Sequence, residues 1–415
     1  MLPTEFSEYT SRIFGEERWE KYLRSFQEDT PVSIRLNPFK IDAQHLHLIG
    51  EGAEEVPWCR NAWWLKSRPR FTSDPLFHAG AYYVQEAGSM FLDTVIKTYI
   101  TSPVCMLDLC AAPGGKSTLS MASLPEGSLL FTNEPDRRRA NILLENIIKQ
   151  GHRNVVVTNN YAEAYRDGNI EFDVVLVDAP CSGEGLFRRD NAAIEEWSVK
   201  NVRKCAELQR SILSDIWNAL KPGGLMIYST CTFNLLEDEE NVMFLSKEYG
   251  AEVLPVPIAE EWGITGSLHP DCHAPVYRFI PGVTKSEGLF LAVVRKPGVL
   301  QPTFPEKTKI MAKLKNKLHI LYDGEPRGEK KGKDIVPAHA EALAIMPVEK
   351  AYPTVELSLE DALRYLHHES LTLPPEHPRG YLLVSYQGLS LGFVKNLGNR
   401  ANNLYPKEWA IRVLK

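Results

Sequence analysis

The sequence predicts an α/β protein: a Rossmann-like core of parallel strands covered by helices on both faces, with a small α+β module at each end. Three observations carry that prediction. Between about residues 80 and 296, short unbroken apolar runs alternate with amphipathic helical stretches, the pattern of a parallel sheet buried on both sides. One of these runs, Met106-Leu-Asp-Leu109, leads directly into a glycine-rich turn and a helix start. The two outer segments lose the alternation and carry turn signals and polar tails instead.

Residues 1–78 read as a separate N-terminal module. SEYTSRIFGEERWEKYLRSF has helical periodicity, and PVSIRLNPFK reads as a strand closed by Asn-Pro. Trp58, Trp63 and Trp64 follow, then a loop around Ser73-Asp74-Pro75. Residues 79–298 form the core. MLDLCAAPGGKS is strand, turn and helix start, SLLFTNEPD a second strand, and RRRANILLENIIKQG an amphipathic helix stopped by Gly151. NVVVTNN, FDVVLVDAP, GLMIYSTC and GLFLAVVRK complete the strands, and KNVRKCAELQRSILSDIWNAL is the longest core helix. Residues 299–338, rich in Lys, Pro and Gly, read as a basic linker with one helical piece. In residues 339–415, VELSLEDALRYLHHESL reads as helical, and GYLLVSYQGLSLGFVKNLGNRANNLYP as two strands around a glycine turn plus a polar tail.

A chain of 415 residues accommodates several domains, and its 44% hydrophobic and 24% charged residues are proportions of a soluble globular protein. The longest apolar runs fall short of the ~18 residues that a membrane span needs, and the acidic N-terminus lacks an apolar signal core; a cytoplasmic protein is expected. Seven cysteines without a C-x-x-C pair favour reduced thiols over a disulfide framework or a zinc site, so no metal is expected. A net charge of −6 argues against a nucleic-acid partner, but its distribution argues for one. Residues 307–333 carry nine Lys/Arg against three acids, and residues 391–415 carry five against one. Such a strip is either a solvated linker face or a local footprint for phosphates.

Asp108-Leu-Cys-Ala-Ala-Pro-Gly-Gly-Lys116-Ser117 is the first chemically informative segment. Glycines at a strand end let a ligand approach the backbone, and the following helix start favours anionic groups. Gly115-Lys116-Ser117 fits the end of a phosphate-binding P-loop, but the first required glycine falls on Cys110. A nucleoside site fits better: Glu134 closes the second strand, about 20 residues on, where a carboxylate accepts hydrogen bonds from ribose hydroxyls.

Two cysteines at strand ends sharpen the reading. Asp178-Ala-Pro-Cys181 follows VVLV, and Ser229-Thr-Cys231 follows LMIY, both in polar loops on the ligand edge. Cys59, Cys105, Cys205 and Cys272 fit ordinary core thiols. Alkylation of a pyrimidine at carbon 5 calls for thiol chemistry, because that carbon becomes nucleophilic only after a soft nucleophile adds at carbon 6. A carboxyl group must also engage the ring nitrogen while charge builds in the ring; Asp178 is placed to do so.

DLCAAPGGK, NEPDRRR, DAPCSGEG and STCTFN follow one another in this order. That ordered set resembles the RNA cytosine-5 methyltransferases of the Nol1/Nop/Sun family over about residues 75–296. The tail from Gly380 resembles the PUA-related RNA-binding domain of the RsmF-type branch, which acts on 16S ribosomal RNA, and PVSIRLNP resembles its N-terminal module. The resemblance implies an S-adenosylmethionine-dependent methyltransferase core between two RNA-binding domains. It implies that Cys110, Ala111, Ala112, Pro113, Gly114, Gly115, Lys116, Glu134 and Asp178 contact the cofactor. It further implies that Cys231 attacks the base and Cys181 assists release; DNA-type enzymes use the Pro-Cys cysteine as nucleophile instead. Where many relatives carry an adenine-contacting Asp after the third strand, this chain has Thr158-Asn159-Asn160-Tyr161, and Asn160 is the side chain able to bond the adenine amine. The implied partner is RNA, free or in a 30S particle, with transfer RNA as the alternative; no membrane or second subunit is required, and a monomer is expected. The competing readings are an RNA-binding ribosome-assembly factor with an idle methyltransferase fold and a P-loop nucleotide hydrolase. Intact Asp178, Cys181 and Cys231 weigh against the first, and Cys110 against the second.

Overall fold

The fold is taken from a computed structural model that describes residues 2–168, 170–301, 304–314, 316–345 and 352–412. The chain opens with α1 (Thr4–Ser25), interrupted at Gly15, whose φ of 73° and ψ of 170° break the helix into two pieces. Strands β1 (Val32–Leu36), β2 (Glu54–Glu55), β3 (Ala62–Leu65) and β4 (Tyr82–Val84) form a sheet in the order β2-β3-β1-β4. This sheet runs past the expected boundary at residue 78, because Ile34, Arg35 and Leu36 pair with Val84, Tyr83 and Tyr82. The short helix α2 (Pro75–His78), capped by Asp74, lies inside this segment, and α3 (Leu92–Tyr99) leads into the core.

The core runs β5 (Cys105–Asp108), α4 (Gly115–Ser123), β6 (Leu129–Asn133), α5 (Arg137–Gln150), β7 (Val155–Thr158), α6 (Ala162–Asp167) and β8 (Phe172–Asp178). It continues with α7 (Asn191–Glu196), α8 (Val199–Trp217), β9 (Leu220–Thr230), α9 (Glu239–Tyr249), β10 (Glu252–Leu254), β11 (Val276–Phe279) and β12 (Leu289–Arg295). Strands β7, β6, β5, β8 and β9 are parallel neighbours in that order. Beyond β9 the sheet turns antiparallel: β12 pairs with β9, and β10 and β11 pair with β12. The expectation of a parallel sheet is corrected for GLFLAVVRK: β12 comes straight from β11 as its antiparallel partner and so runs back alongside β9. The sheet is covered on both faces. Leu119, Leu143 and Ile147 of α4 and α5 pack on one side, and Tyr165, Leu213, Ile216, Val242 and Leu245 of α6, α8 and α9 on the other. That double cover is why β5, β6 and β7 are buried at every position and read as unbroken apolar runs.

The segment read as a linker is more structured than expected. It contains α10 (Lys307–Leu314), β13 (Ile320–Tyr322), and a hairpin of β14 (Glu329–Lys331) with β15 (Asp334–Val336). Strand β13 adds antiparallel to β7 and extends the central sheet. The C-terminal part holds α11 (His339–Leu343), β16 (Thr354–Glu356), α12 (Leu359–Leu366), β17 (Gly380–Tyr386), β18 (Leu389–Asn396) and β19 (Ala401–Asn403). The expected helix from Val355 is therefore shorter: Val355 and Glu356 belong to a strand parallel to β17, and Ser358 caps the helix proper. The end of α5 is where the three parts meet. Asn37 Nδ2 donates to Gln150 O (3.0 Å), Lys40 Nζ to Lys149 O (2.7 Å) and Ile345 N to Gly151 O (3.0 Å). Among the described residues no helix is long and apolar enough to cross a membrane.

Candidate active site

The chain order reverses between β5 and its two parallel neighbours: β6 lies on one side, β8 on the other. In open α/β sheets ligands bind outside the carboxyl ends of the strands at such a point, and the Cys110–Lys116 turn leaves β5 there. Gly114 adopts φ 113°, and a Cβ there would sit 3.2 Å from Leu143 Cδ1, so the turn requires glycine. Burial and nearby carboxylates push the Cys110 thiol up.

Two acidic side chains close the strands beside this turn. Asp108 is fully buried; its Oδ2 accepts from Ser117 Oγ (2.6 Å), and its Oδ1 has no hydrogen-bond partner. Burial pushes its carboxyl up to about 7. Glu134 is 1% exposed; its Oε1 accepts from Asp136 N (3.1 Å), and its Oε2, 3.5 Å from Arg139 Nη1, accepts no hydrogen bond. Buried carboxylate oxygens without donors are rare, and two of them at neighbouring strand ends suit a ligand that brings hydroxyl groups. The residues present thus fit an adenosine-bearing cofactor. Asn160 is placed differently from its expected role. Its amide pairs with the backbone of His319, accepting at 2.9 Å and donating at 3.2 Å, and so joins β13 to the edge of the site.

On the β8 side of this turn, Lys116 Nζ lies 2.8 Å from Asp178 Oδ2, and Ser229 Oγ donates to Asp178 Oδ1 at 2.7 Å. Burial by itself would lower the Lys116 pKa, but the charge and hydrogen bond of Asp178 outweigh it and raise it. The ion pair ties the cofactor turn to the end of β8. Three residues beyond Asp178, Cys181 Sγ lies 2.8 Å from Cys231 Sγ, and Cys231 N donates to Cys181 Sγ at 3.3 Å. Both thiols are partly exposed and unbridged. The hydrogen bond to Cys231, followed by burial, holds the Cys181 pKa well above the ordinary thiol range. The structure therefore gathers Cys110–Lys116, Glu134, Asp178, Cys181 and Cys231 along one edge. Cys59, Cys105 and Cys272 are buried as core thiols, whereas Cys205 is half-buried on α8.

Sequence reasoning missed the buried acids that follow each cysteine. In Leu236-Glu-Asp-Glu-Glu240, a segment the sequence analysis leaves unread, Glu237, Asp238 and Glu239 are all fully buried. Asp238 and Glu239 both pair with the fully buried Arg278, which also donates to Phe233 O at 2.9 Å, next to the Cys231 loop. The aromatic face of α1 packs on the same loops. Phe6 meets Phe187 and Trp197, and Phe14 and Tyr22 meet Phe233. Among the described residues no group of His, Cys, Asp and Glu could hold a metal ion.

Residues 101–295 match the family described as 16S rRNA methyltransferase RsmB/F. Residues 2–87 match the N-terminal domain of 16S rRNA methyltransferase RsmF, and residues 352–411 the methyltransferase RsmF PUA domain. The ribosomal RNA small subunit methyltransferase F of Serratia proteamaculans is 28% identical over 98% of this chain and 96% of its own length. Its counterpart in Shewanella sp. strain W3-18-1 is 29% identical over 92% and 91%. Among solved structures, a methyltransferase homolog protein from Pyrococcus horikoshii covers 71% of this chain and 100% of itself, with a TM-score of 0.58 and 26% identity. NSun6 from the same organism, solved with SFG, superimposes at a TM-score of 0.59 with 22% identity, covering 71% of this chain and 98% of that one.

Proposed function

We propose, starting from the fact that this chain belongs to the 16S rRNA methyltransferase RsmB/F family, that it methylates carbon 5 of a cytosine in 16S ribosomal RNA through a covalent cysteine adduct. The fold is that of S-adenosylmethionine-dependent methyltransferases, and S-adenosylmethionine is the cofactor. The observation that carries the finer reading is the pair of facing thiols, 2.8 Å apart at the ends of adjacent strands beside the Lys116–Asp178 ion pair. A binding factor has no use for two such thiols on this edge.

Bound at these strand ends, S-adenosylmethionine would supply an electrophilic methyl group. Glu134 and Asp108 offer their unpartnered oxygens to adenosine hydroxyls, and the Cys110–Lys116 turn lets the ligand lie against backbone. Cys231 adds as thiolate to carbon 6 of the base, and the electron pair shifts so that carbon 5 becomes the nucleophile that takes the methyl group. As charge builds in the ring, the Lys116 ammonium passes a proton to Asp178, which donates it to the ring nitrogen and takes it back when the ring double bond re-forms. The carbon-5 proton then leaves to water, and its electrons re-form the ring double bond and expel Cys231. Cys181, which keeps its proton, hydrogen-bonds the departing sulfur and assists release. One chain brings both thiols and the cofactor turn, so we place the enzyme as a monomer acting on ribosomal RNA or the 30S particle in the cytoplasm.

Bisulfite sequencing of total RNA from a deletion strain tests this. One 16S cytosine should lose its protection and regain it on complementation. An unchanged 16S pattern overturns the proposal, and loss of a transfer-RNA signal instead reassigns the substrate.

A further inference from the structure

The two cysteine loops are tied together by buried carboxylates that cross in opposite directions. Glu184, on the Cys181 loop, accepts from the backbone N–H of Phe233, on the Cys231 loop, at 2.8 Å. Glu237, on the Cys231 loop, accepts from the backbone N–H of Ser182, beside Cys181, at 3.0 Å. Asn234 Nδ2 lies between the two carboxylates, 2.6 Å from Glu237 Oε1 and 3.2 Å from Glu184 Oε1. Trp197 Nε1 adds a donor to Glu184 (3.0 Å) and Gln209 Nε2 one to Glu237 (2.7 Å). The loops touch closely enough that Gly185 N donates to Cys231 O at 2.9 Å, and a Cβ on Gly185 would lie 3.1 Å from that oxygen.

Apolar side chains would fill this space at lower cost than two buried carboxylates, which lose hydration and must be repaid by donors. The donors chosen are backbone N–H groups within two residues of each thiol, so the bonds fix loop position and not only loop packing. We propose that Glu184 and Glu237 are positioning residues that set the separation and orientation of Cys181 and Cys231. The proposal rests on the reading that both thiols serve one base. It extends that reading to groups that touch neither base nor cofactor. It also explains how Cys181 is held in hydrogen-bond reach of Cys231, the contact that raises its pKa together with burial.

The test uses the full-length protein with Glu184→Gln and Glu237→Gln, which keep side-chain size but turn one acceptor oxygen into a donor facing N–H groups. The pH profile of Cys181 alkylation by iodoacetamide, followed by peptide mass spectrometry, needs neither RNA nor cofactor. Its midpoint should fall in Glu184→Gln and in Asn234→Ala as the thiols separate; in Glu237→Gln the lost charge lowers it as well, so positioning is read there from turnover. Turnover should fall about tenfold or more, while the Kd for adenosylmethionine and the KM for RNA stay within about threefold. Should a glutamine variant fail to fold, Asn234→Ala, which removes the shared donor, must shift the profile the same way. An unshifted alkylation profile in folded variants overturns the proposal, as does a loss of turnover matched by an equal loss of cofactor affinity. Because the alkylation profile involves no substrate, it can fail while cytosine methylation stands, and it can succeed while the base is reassigned.

Discussion

Cys231 directs its backbone N–H at the sulfur of Cys181 from 3.3 Å, while the two sulfurs lie 2.8 Å apart. The contact is asymmetric. Cys181 receives the amide, which favours its thiolate, but the hydrogen bond to the Cys231 side chain and burial outweigh it and raise the Cys181 pKa. Under the proposed mechanism Cys231 attacks the base and Cys181 assists release. Cys231→Ser should abolish turnover and form no covalent complex, because a hydroxyl is a far weaker nucleophile near neutral pH. Cys181→Ser should attack and methylate but fail to release, so a protein–RNA band surviving denaturation should accumulate. A denaturing gel with labelled RNA and adenosylmethionine reads both; a trapped band from Cys231→Ser and none from Cys181→Ser would exchange the roles.

Glu134 is a second point of leverage. Its Oε2 is buried without a donor, so a ribose hydroxyl placed there completes it rather than competing with an existing bond. Glu134→Gln keeps the volume but removes the charge, and cofactor binding should weaken by about 1.5–3 kcal/mol, roughly tenfold to a hundredfold in Kd. Calorimetry on the variant reads the change. Unaltered affinity would take Glu134 out of the cofactor site.

These sites differ in how readily the sequence discloses them. Strands β5 to β9 announce themselves as apolar runs because helices cover both faces, and Cys181 and Cys231 are visible as thiols stranded in polar loops at their ends. Strand β13 is invisible by the same criterion: it sits at the sheet edge, half-buried, and its place is set by pairing with β7 and by the Asn160–His319 contact, which are long-range. Asn160 illustrates the cost, since a residue read by position as a ligand contact is occupied by backbone from a segment 159 residues away. The Glu184–Glu237 cross-brace is equally hidden. Nothing local in 236–240 marks its acids as buried, and only the folded neighbourhood brings Ser182 N, Gln209 and Arg278 to them.

Asp108 should leave a signature in the pH dependence of stability. Burial raises its folded-state pKa from 3.8 to about 7, so on a rising pH scale the unfolded chain releases this proton first. Between these two values the folded state holds a proton that the unfolded state lacks, and the contribution of Asp108 to stability falls as pH rises. Asp108→Asn cannot ionise and should lack that slope. Above pH ~7 the variant should gain on the wild type by about 2–4 kcal/mol relative to their difference at pH ~4. Urea unfolding of the cofactor-free proteins across this range measures it; parallel profiles for the two proteins would mean that Asp108 ionises normally in the fold.

The basic strip before the C-terminal domain is less available than its sequence suggests. Lys307 pairs with Glu325, Lys309 with Glu306, Arg327 with Asp323 and Lys331 with Glu329, while Lys317 caps Gly168 O. Lys315 lies outside the described residues, as does Lys415 at the end of the second basic stretch. Lys313, Lys330 and Lys333 remain exposed and form no ion pair among the described residues, the last two on the β14–β15 hairpin. If RNA phosphates meet this strip, these three should carry the salt dependence, since a lysine already neutralised by a carboxylate releases little counterion on binding. Replacing all three with alanine should lower the slope of log affinity against log salt by about 2–3. Replacing Lys307, Lys309 and Arg327 should lower it by less than about one. Filter binding of a 16S fragment over a salt series separates the two sets. Equal slopes for both triple variants would assign phosphate contact to other surfaces, and deletion of residues 340–415 would then be the variant that weakens RNA binding while leaving adenosylmethionine affinity intact.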